Sequence, residues 1–188
     1  TTTARSEESL QALVPASSGT STNLLTNGDF EGGASAWTAS YGTPEVQEAG
    51  GNKYFFANVQ AAGNPWDVGI TNVVSLTEGV RYKLTFTAST GEGQSRVLRA
   101  GIGLNQDPWT ADATDVNLTS TSQTFELTFT APATNANSRV LFDMGHDVGV
   151  VVIDNVSLEV VEPVAATDLL TNGDFEGGAS AWTASYGT

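Results

Sequence analysis

The feature that most narrows what this chain can fold into is an alternation of apolar and polar residues with a period of two, recurring from Arg81 to Val160. Tyr82, Leu84, Phe86 and Ala88 alternate with Arg81, Lys83, Thr85 and Thr87. Leu98, Ala100, Ile102 and Leu104 alternate with Val97, Arg99, Gly101 and Gly103; Phe125, Leu127 and Phe129 alternate with threonines and Glu126. Val140, Phe142 and Met144 alternate with Arg139, Leu141 and Asp143, and a last apolar run spans Val150 to Val160. Successive side chains of a strand point to opposite faces, so each run is a strand with one face in a core. Gly, Asn, Asp and Pro separate the runs at short spacing, which gives about ten strands and no competing helical stripe. The expected fold is all-β, a two-sheet β-sandwich of jelly-roll type.

A second feature sets the domain organisation. Leu24 to Thr43 reads LLTNGDFEGGASAWTASYGT, and Leu169 to Thr188 repeats all twenty residues without a mismatch. Residues 1–22, small and polar, read as a leader or linker; 23–161 as the β-sandwich unit; 162–168 as a linker; and 169–188 as the truncated start of a second, identical repeat. The repeated segment fits two arrangements. It is either the opening of a further unit in a tandem array or a segment that pairs into a neighbouring copy by strand exchange.

Composition excludes several functions. The chain carries 21 acidic against 7 basic residues, a formal charge of -14. Binding nucleic acid rests on clustered Lys and Arg, so no nucleic-acid partner is expected, and an anionic membrane surface is disfavoured on the same ground. There is no run of about 18 apolar residues, so no membrane insertion is expected. With no cysteine, thiolate metal sites and disulfides are excluded. The abundance of Ser, Thr, Asn and Gly points to a secreted or cell-surface protein, and any export signal would lie outside this sequence.

Nothing in the chain assembles a reaction centre by spacing alone. His146, in the turn MGHDVG, is the single histidine, and the carboxylates form no paired motif of the kind glycosidases use. The chain is read as non-enzymatic. Its aromatic residues carry more information. Trp66 lies in Asn64-Pro65-Trp66-Asp67 and Trp109 in Asp107-Pro108-Trp109-Thr110, both after proline in polar surroundings. Such rings either stack on the flat C–H face of a sugar or cap the ends of the sandwich. Trp37 and Tyr41, four apart, share one face if their segment is extended, for packing or for binding. Arg99 points away from the core beside Gly101 and Gly103, which leave room for a ligand or another backbone. Asp143 has the same orientation, and the two charges either face a ligand or bridge each other.

At these motifs the sequence resembles a family 4 carbohydrate-binding module, one of a jelly-roll group related to families 9, 16 and 22. The resemblance runs through NLLTNGDFE, NPWDVGI, RYKLTFTAS, VLRAGIGLNQDPWT, QTFELTFTAP and VVIDNVSLE. NPWD with DPWT is most similar to modules attached to laminarinases. The resemblance implies non-catalytic binding of a polysaccharide, β-1,3-glucan (laminarin) first among β-glucans, in an aromatic-lined cleft. Trp66 and Trp109 would stack on it; Arg99, Asn105, Gln106 and Asp143 would be polar contacts, with Tyr54 and Gln60 as further candidates. It also implies a structural calcium ion near both chain ends, held by Asp29, Glu31, Gly50, Lys53 and Asp154, with Glu48 as a substitute carboxylate and Asp174 and Glu176 as the repeat's equivalents. Partners would be the glycan, adjacent copies of the module, or a catalytic domain outside this chain. The alternative function is a structural repeat of an extracellular adhesin or filament, linked by strand exchange.

Overall fold

The computed structural model describes residues 22–41 and 44–161, with Thr183. Residues 1–21, 42–43, 162–182 and 184–188 lie outside that description, so the expected leader (Thr22 aside), the 162–168 linker and nearly all of the repeat at 169–188 do too, including Asp174 and Glu176.

The described residues form ten strands: β1 Trp37–Ala39, β2 Glu45–Ala49, β3 Asn52–Val59, β4 Gly69–Leu76, β5 Arg81–Ser89, β6 Ser95–Leu104, β7 Ala111–Thr119, β8 Gln123–Thr130, β9 Asn135–Asp143 and β10 Gly149–Val160. They make two antiparallel five-stranded sheets, ordered β1-β4-β9-β6-β7 and β2-β3-β10-β5-β8. This is the expected β-sandwich. Leu84 and Phe86 of β5, Leu98, Ala100 and Ile102 of β6, Val140 and Phe142 of β9, and Val151 and Ile153 of β10 interdigitate between the sheets, all buried. Phe86 meets Phe142 edge-on at 4.9 Å between ring centroids. Leu104, Phe125 and Leu127 are only half-buried because they lie near the sheet margins. Leu141 points outward with Arg139 and Asp143, yet is buried.

The segments NLLTNGDFE and VVIDNVSLE bond to each other. Leu24 N–H donates to Leu158 O at 2.8 Å, and Val156 N–H to Gly28 O at 2.8 Å. The Asn23 side chain donates to Val156 O at 3.1 Å and accepts from Leu158 N–H at 3.0 Å, straddling a bulge in β10 between Asp154 and Ser157. Trp37, 5% exposed, stacks on Phe30 at 4.9 Å and donates its indole N–H to Asn27 O at 2.8 Å. Its role is packing. Tyr41 is 91% exposed, and β1 ends at Ala39, so the extended segment that would put Trp37 and Tyr41 on one face does not reach Tyr41.

Candidate functional site

The outer face of the first sheet is laid out in rows that cross the strands. One row runs Asp115, Arg99, Asp143, Gly69; the next Ala113, Gly101, Leu141, Thr71; the third Ala111, Gly103, Arg139, Val73. The middle row has no charge. The first and third carry charged side chains and lie four strand residues apart, about 13 Å.

A tryptophan walls each side of the middle row, Trp66 beyond the first row and Trp109 beyond the third. Trp66 sits in a 3-10 turn, Pro65–Asp67, closed by Asp67 accepting from Asn64 N–H at 2.8 Å. That turn is fastened beside Asp143: Met144 N–H donates to Val68 O and Gly145 N–H to Pro65 O, both 2.8 Å. Trp109 stands on the other side, in the β6–β7 loop, with its ring 5.2 Å from the Arg139 guanidinium. The two residues stay 59% and 54% exposed. Together with Ser40, Arg99, Ala111, Ala113, Arg139 and Asp143 they line one open cleft of about 610 Å³.

The charges on the cleft floor are not alike. Arg99 Nε donates to Asp115 Oδ1 at 2.8 Å, and this hydrogen bond raises the guanidinium pKa above its ordinary value. Arg99 therefore pairs along its row with Asp115 of β7, and the considered Arg99–Asp143 bridge is not formed. Burial raises the Asp143 carboxyl above the usual aspartate range, against the pull of Arg139 and Arg99. Burial likewise lowers Arg139, with Asp143 opposing it. Among the described residues Arg139 has no ion pair, and its Nε is buried without a partner. A cleft so built offers two apolar ring faces and forked donors next to a carboxylate, the means of holding a hydroxylated, flat-faced ligand.

Of the residues named from sequence, Trp66, Trp109, Arg99 and Asp143 converge here. Asn105 and Gln106 do not line the cleft; both are bonded to Asn137. Tyr54 lies on β3 in the other sheet, beside Asn52, Thr87 and Asp154. Gln60, exposed just after β3, donates to Asn58 O at 3.3 Å and lines no part of the cleft. Arg139 also lines the cleft without having been expected there, although its parity with Asp143 in β9 was the available signal. His146, exposed and 3.2 Å from Asp147 Oδ1, edges a side recess of about 110 Å³ that shares Arg99 and Asp143 with the cleft.

Of the residues named for calcium, Gly50 and Lys53 belong to the β2–β3 hairpin, and Lys53 bonds to Glu31. Gly50 and Gly51 form the hairpin tip with φ of 63° and 86°, the left-handed pair that a two-residue turn requires. Lys53 N–H donates to Glu31 Oε1 at 2.8 Å, and its ammonium to Glu31 O at 3.0 Å. Asp154, nearly buried, accepts from Asn52 Nδ2 at 3.0 Å, and Asp29 accepts from Glu31 N–H at 3.3 Å. Among the described residues no three His, Cys, Asp or Glu side chains cluster as a metal site. Calcium takes hard oxygen donors, and the carboxylates of Asp29, Glu31 and Asp154 are of that type.

The fold and cleft define a β-sandwich binding domain. The family model described as carbohydrate binding domain, joining modules of families 4 and 9, matches residues 22–149. The chain belongs to this family of non-catalytic carbohydrate-binding domains. No curated protein matches the chain at a significant level. Among solved structures it is similar to the second N-terminal cellulose-binding domain of Cellulomonas fimi β-1,4-glucanase C, with 25% identity, TM-score 0.60, and 77% of this chain and 97% of that one covered. The N-terminal cellulose-binding domain of the same enzyme aligns with 25% identity, TM-score 0.58, and 76% and 100% covered. A family 4 carbohydrate-binding module aligns at 24% identity and TM-score 0.58, covering 73% of this chain and 99% of that one. Among the described residues no helix is long and apolar enough to cross a membrane.

Proposed function

We propose that the domain binds a single β-glucan chain, β-1,3-glucan first, laid along the uncharged middle row between Trp66 and Trp109. The observation that carries this reading is that two exposed tryptophans from separate loops wall the same cleft. Stacking a sugar on one ring buries roughly 100 Å² of it, about 2.5 kcal/mol before ordering costs. Arg99 and Asp143 then read the hydroxyls, and the small residues of the middle row let the chain sit low. Calcium held by Glu31 and Asp154 with turn carbonyls near Gly50 and Lys53, and with Asp29 beside them, supports the fold and does not touch the sugar. The setting is extracellular, as a targeting module for a catalytic domain outside this chain or as a surface-glycan receptor. Isothermal titration against laminarin, barley β-glucan, xylan and cello-oligosaccharides tests the ligand. Heat with laminarin strongest is the expected result; heat with none of them rejects the β-glucan reading.

A second reading, a structural repeat linked by strand exchange, is favoured by one observation. Residues 24–41, which recur identically at 169–186, supply Leu25, Phe30 and Trp37 to the core and β1 to a sheet edge. An identical segment from a neighbour fits the same seat. Concentration-dependent oligomers in sedimentation support it, and monomers at every concentration reject it. The two readings are compatible, since an array would bind glycan multivalently.

A further inference from the structure

We propose that β9 holds Trp109 in its binding position through Asn137 and Arg139, and that Asn105 and Gln106 act on the ligand only through this clamp. The inference rests on the reading of the cleft above and deepens it.

Trp109 takes a φ of 58°, a left-handed conformation that costs a tryptophan about 1 kcal/mol or more unless its surroundings fix it. Its own loop supplies part of that restraint, with Trp109 N–H donating to Gln106 O at 2.7 Å and Leu104 N–H to Thr110 O at 2.8 Å. The rest comes from β9. Asn105 N–H donates to Asn137 O at 3.0 Å, and Asn105 Nδ2 to Asn137 Oδ1 at 3.1 Å. Asn137 Nδ2 donates in return to Gln106 Oε1 at 3.1 Å and to Asn105 O at 3.4 Å. The amide groups of Asn105, Gln106 and Asn137 are thus turned toward one another, and none of the three residues lines the cleft.

Two residues along β9, on the same face as Asn137, Arg139 lays its guanidinium 5.2 Å from the centre of the Trp109 ring. With no ion pair of its own among the described residues, this cation has the ring as its defined partner. One strand therefore fixes both the backbone that carries the ring and the ring itself. A platform set before the ligand arrives loses less ordering entropy on binding. Asn137 and Arg139 are accordingly positioning residues.

A double-mutant cycle separates positioning from direct contact. Affinity for laminarin, read by affinity electrophoresis in laminarin gels so that weak binding is still measured, is compared for Asn105→Ala, Asn137→Ala and Arg139→Met with and without Trp109→Ala. In the otherwise unchanged protein each should lose roughly fivefold. In the Trp109→Ala background none should lose more. Arg139→Lys, which keeps a cation over the ring, should recover most of the Arg139→Met loss. Should Asn137→Ala not fold, Gln106→Ala takes its place, since Gln106 is exposed. Equal losses in both backgrounds would mean direct contact with glycan and overturn the inference, as would no loss in either. If Trp109→Ala alone leaves affinity unchanged, the cleft reading itself fails and the clamp with it.

Discussion

Gly101 shows how much one absent side chain decides. A Cβ there would fall 2.6 Å from the Cβ of Ala113 on β7, and both are backbone-near atoms that cannot swing away. The space beside this glycine is taken by a neighbouring strand, one of the two occupants its position allowed. Gly101→Ala should push β7 off β6 and cost about 1–3 kcal/mol, as overpacking does. Thermal unfolding should show the midpoint falling by several degrees. Because Ala113 lines the cleft, laminarin affinity should fall too. Unchanged melting would mean that β7 yields freely. The Arg99–Asp115 pair beside it is partly exposed and contributes little to stability, so its importance lies in where it leaves the guanidinium.

At the scale of elements, the β9–β10 loop fixes the Trp66 end of the cleft. Arg96 of β6 lies on the core face, where its guanidinium donates to Met144 O and to Gly149 O. Burial lowers its pKa, with Asp147 opposing. Asp147 Oδ2 accepts from Val97 N–H at 2.7 Å, and this bond chiefly holds its carboxyl below the ordinary range. A carboxylate with a lowered folded pKa adds stability above the usual aspartate pKa of about 3.9 and loses it as pH falls through the lowered value. Its side chain is 34% exposed, so the contribution is about 1 kcal/mol or less. Asp147→Asn should lower the melting midpoint slightly at pH 7 and match the parent protein in acid. Equal midpoints at both would contradict the role given to the Val97 bond.

The strands themselves were legible because period-two burial depends only on which residues alternate; β5, β6 and β9 fall where that pattern puts them. Trp66, Trp109, Arg99 and Asp143 were legible for a related reason: proline-flanked turns and outward parity mark positions outside the core. The pairing of Arg99 with Asp115 depends on β7 lying beside β6, and alternation does not encode neighbours. Asn105 and Gln106 matched a motif, but their partner Asn137 is distant in sequence, so their amides could not be assigned to it beforehand. Tyr54 required the register of β3, which pairs it with Gln47 in the other sheet.

For the molecule as a whole, the two chain ends of the domain are tied at one place. Asn23, Gly28 and Leu24 bond to β10, while Glu31, Lys53, Asn52 and Asp154 are linked nearby. Calcium bound there would stabilise the folded state by mass action without changing the cleft on the opposite sheet. Adding excess calcium after EDTA treatment should raise the melting midpoint by several degrees and leave laminarin affinity unchanged. A midpoint indifferent to both reagents would remove calcium from the account. A parallel loss of affinity would place the ion nearer the ligand than proposed.

The central claim is that Trp66 and Trp109 together hold the glycan. Isothermal titration of laminarin into the parent domain, Trp66→Ala, Trp109→Ala and the double variant tests it most directly. Each single change should weaken binding about 10- to 100-fold, the loss of one stacked ring, and the double variant should give no measurable heat. Single variants that fold and bind as the parent does would contradict it.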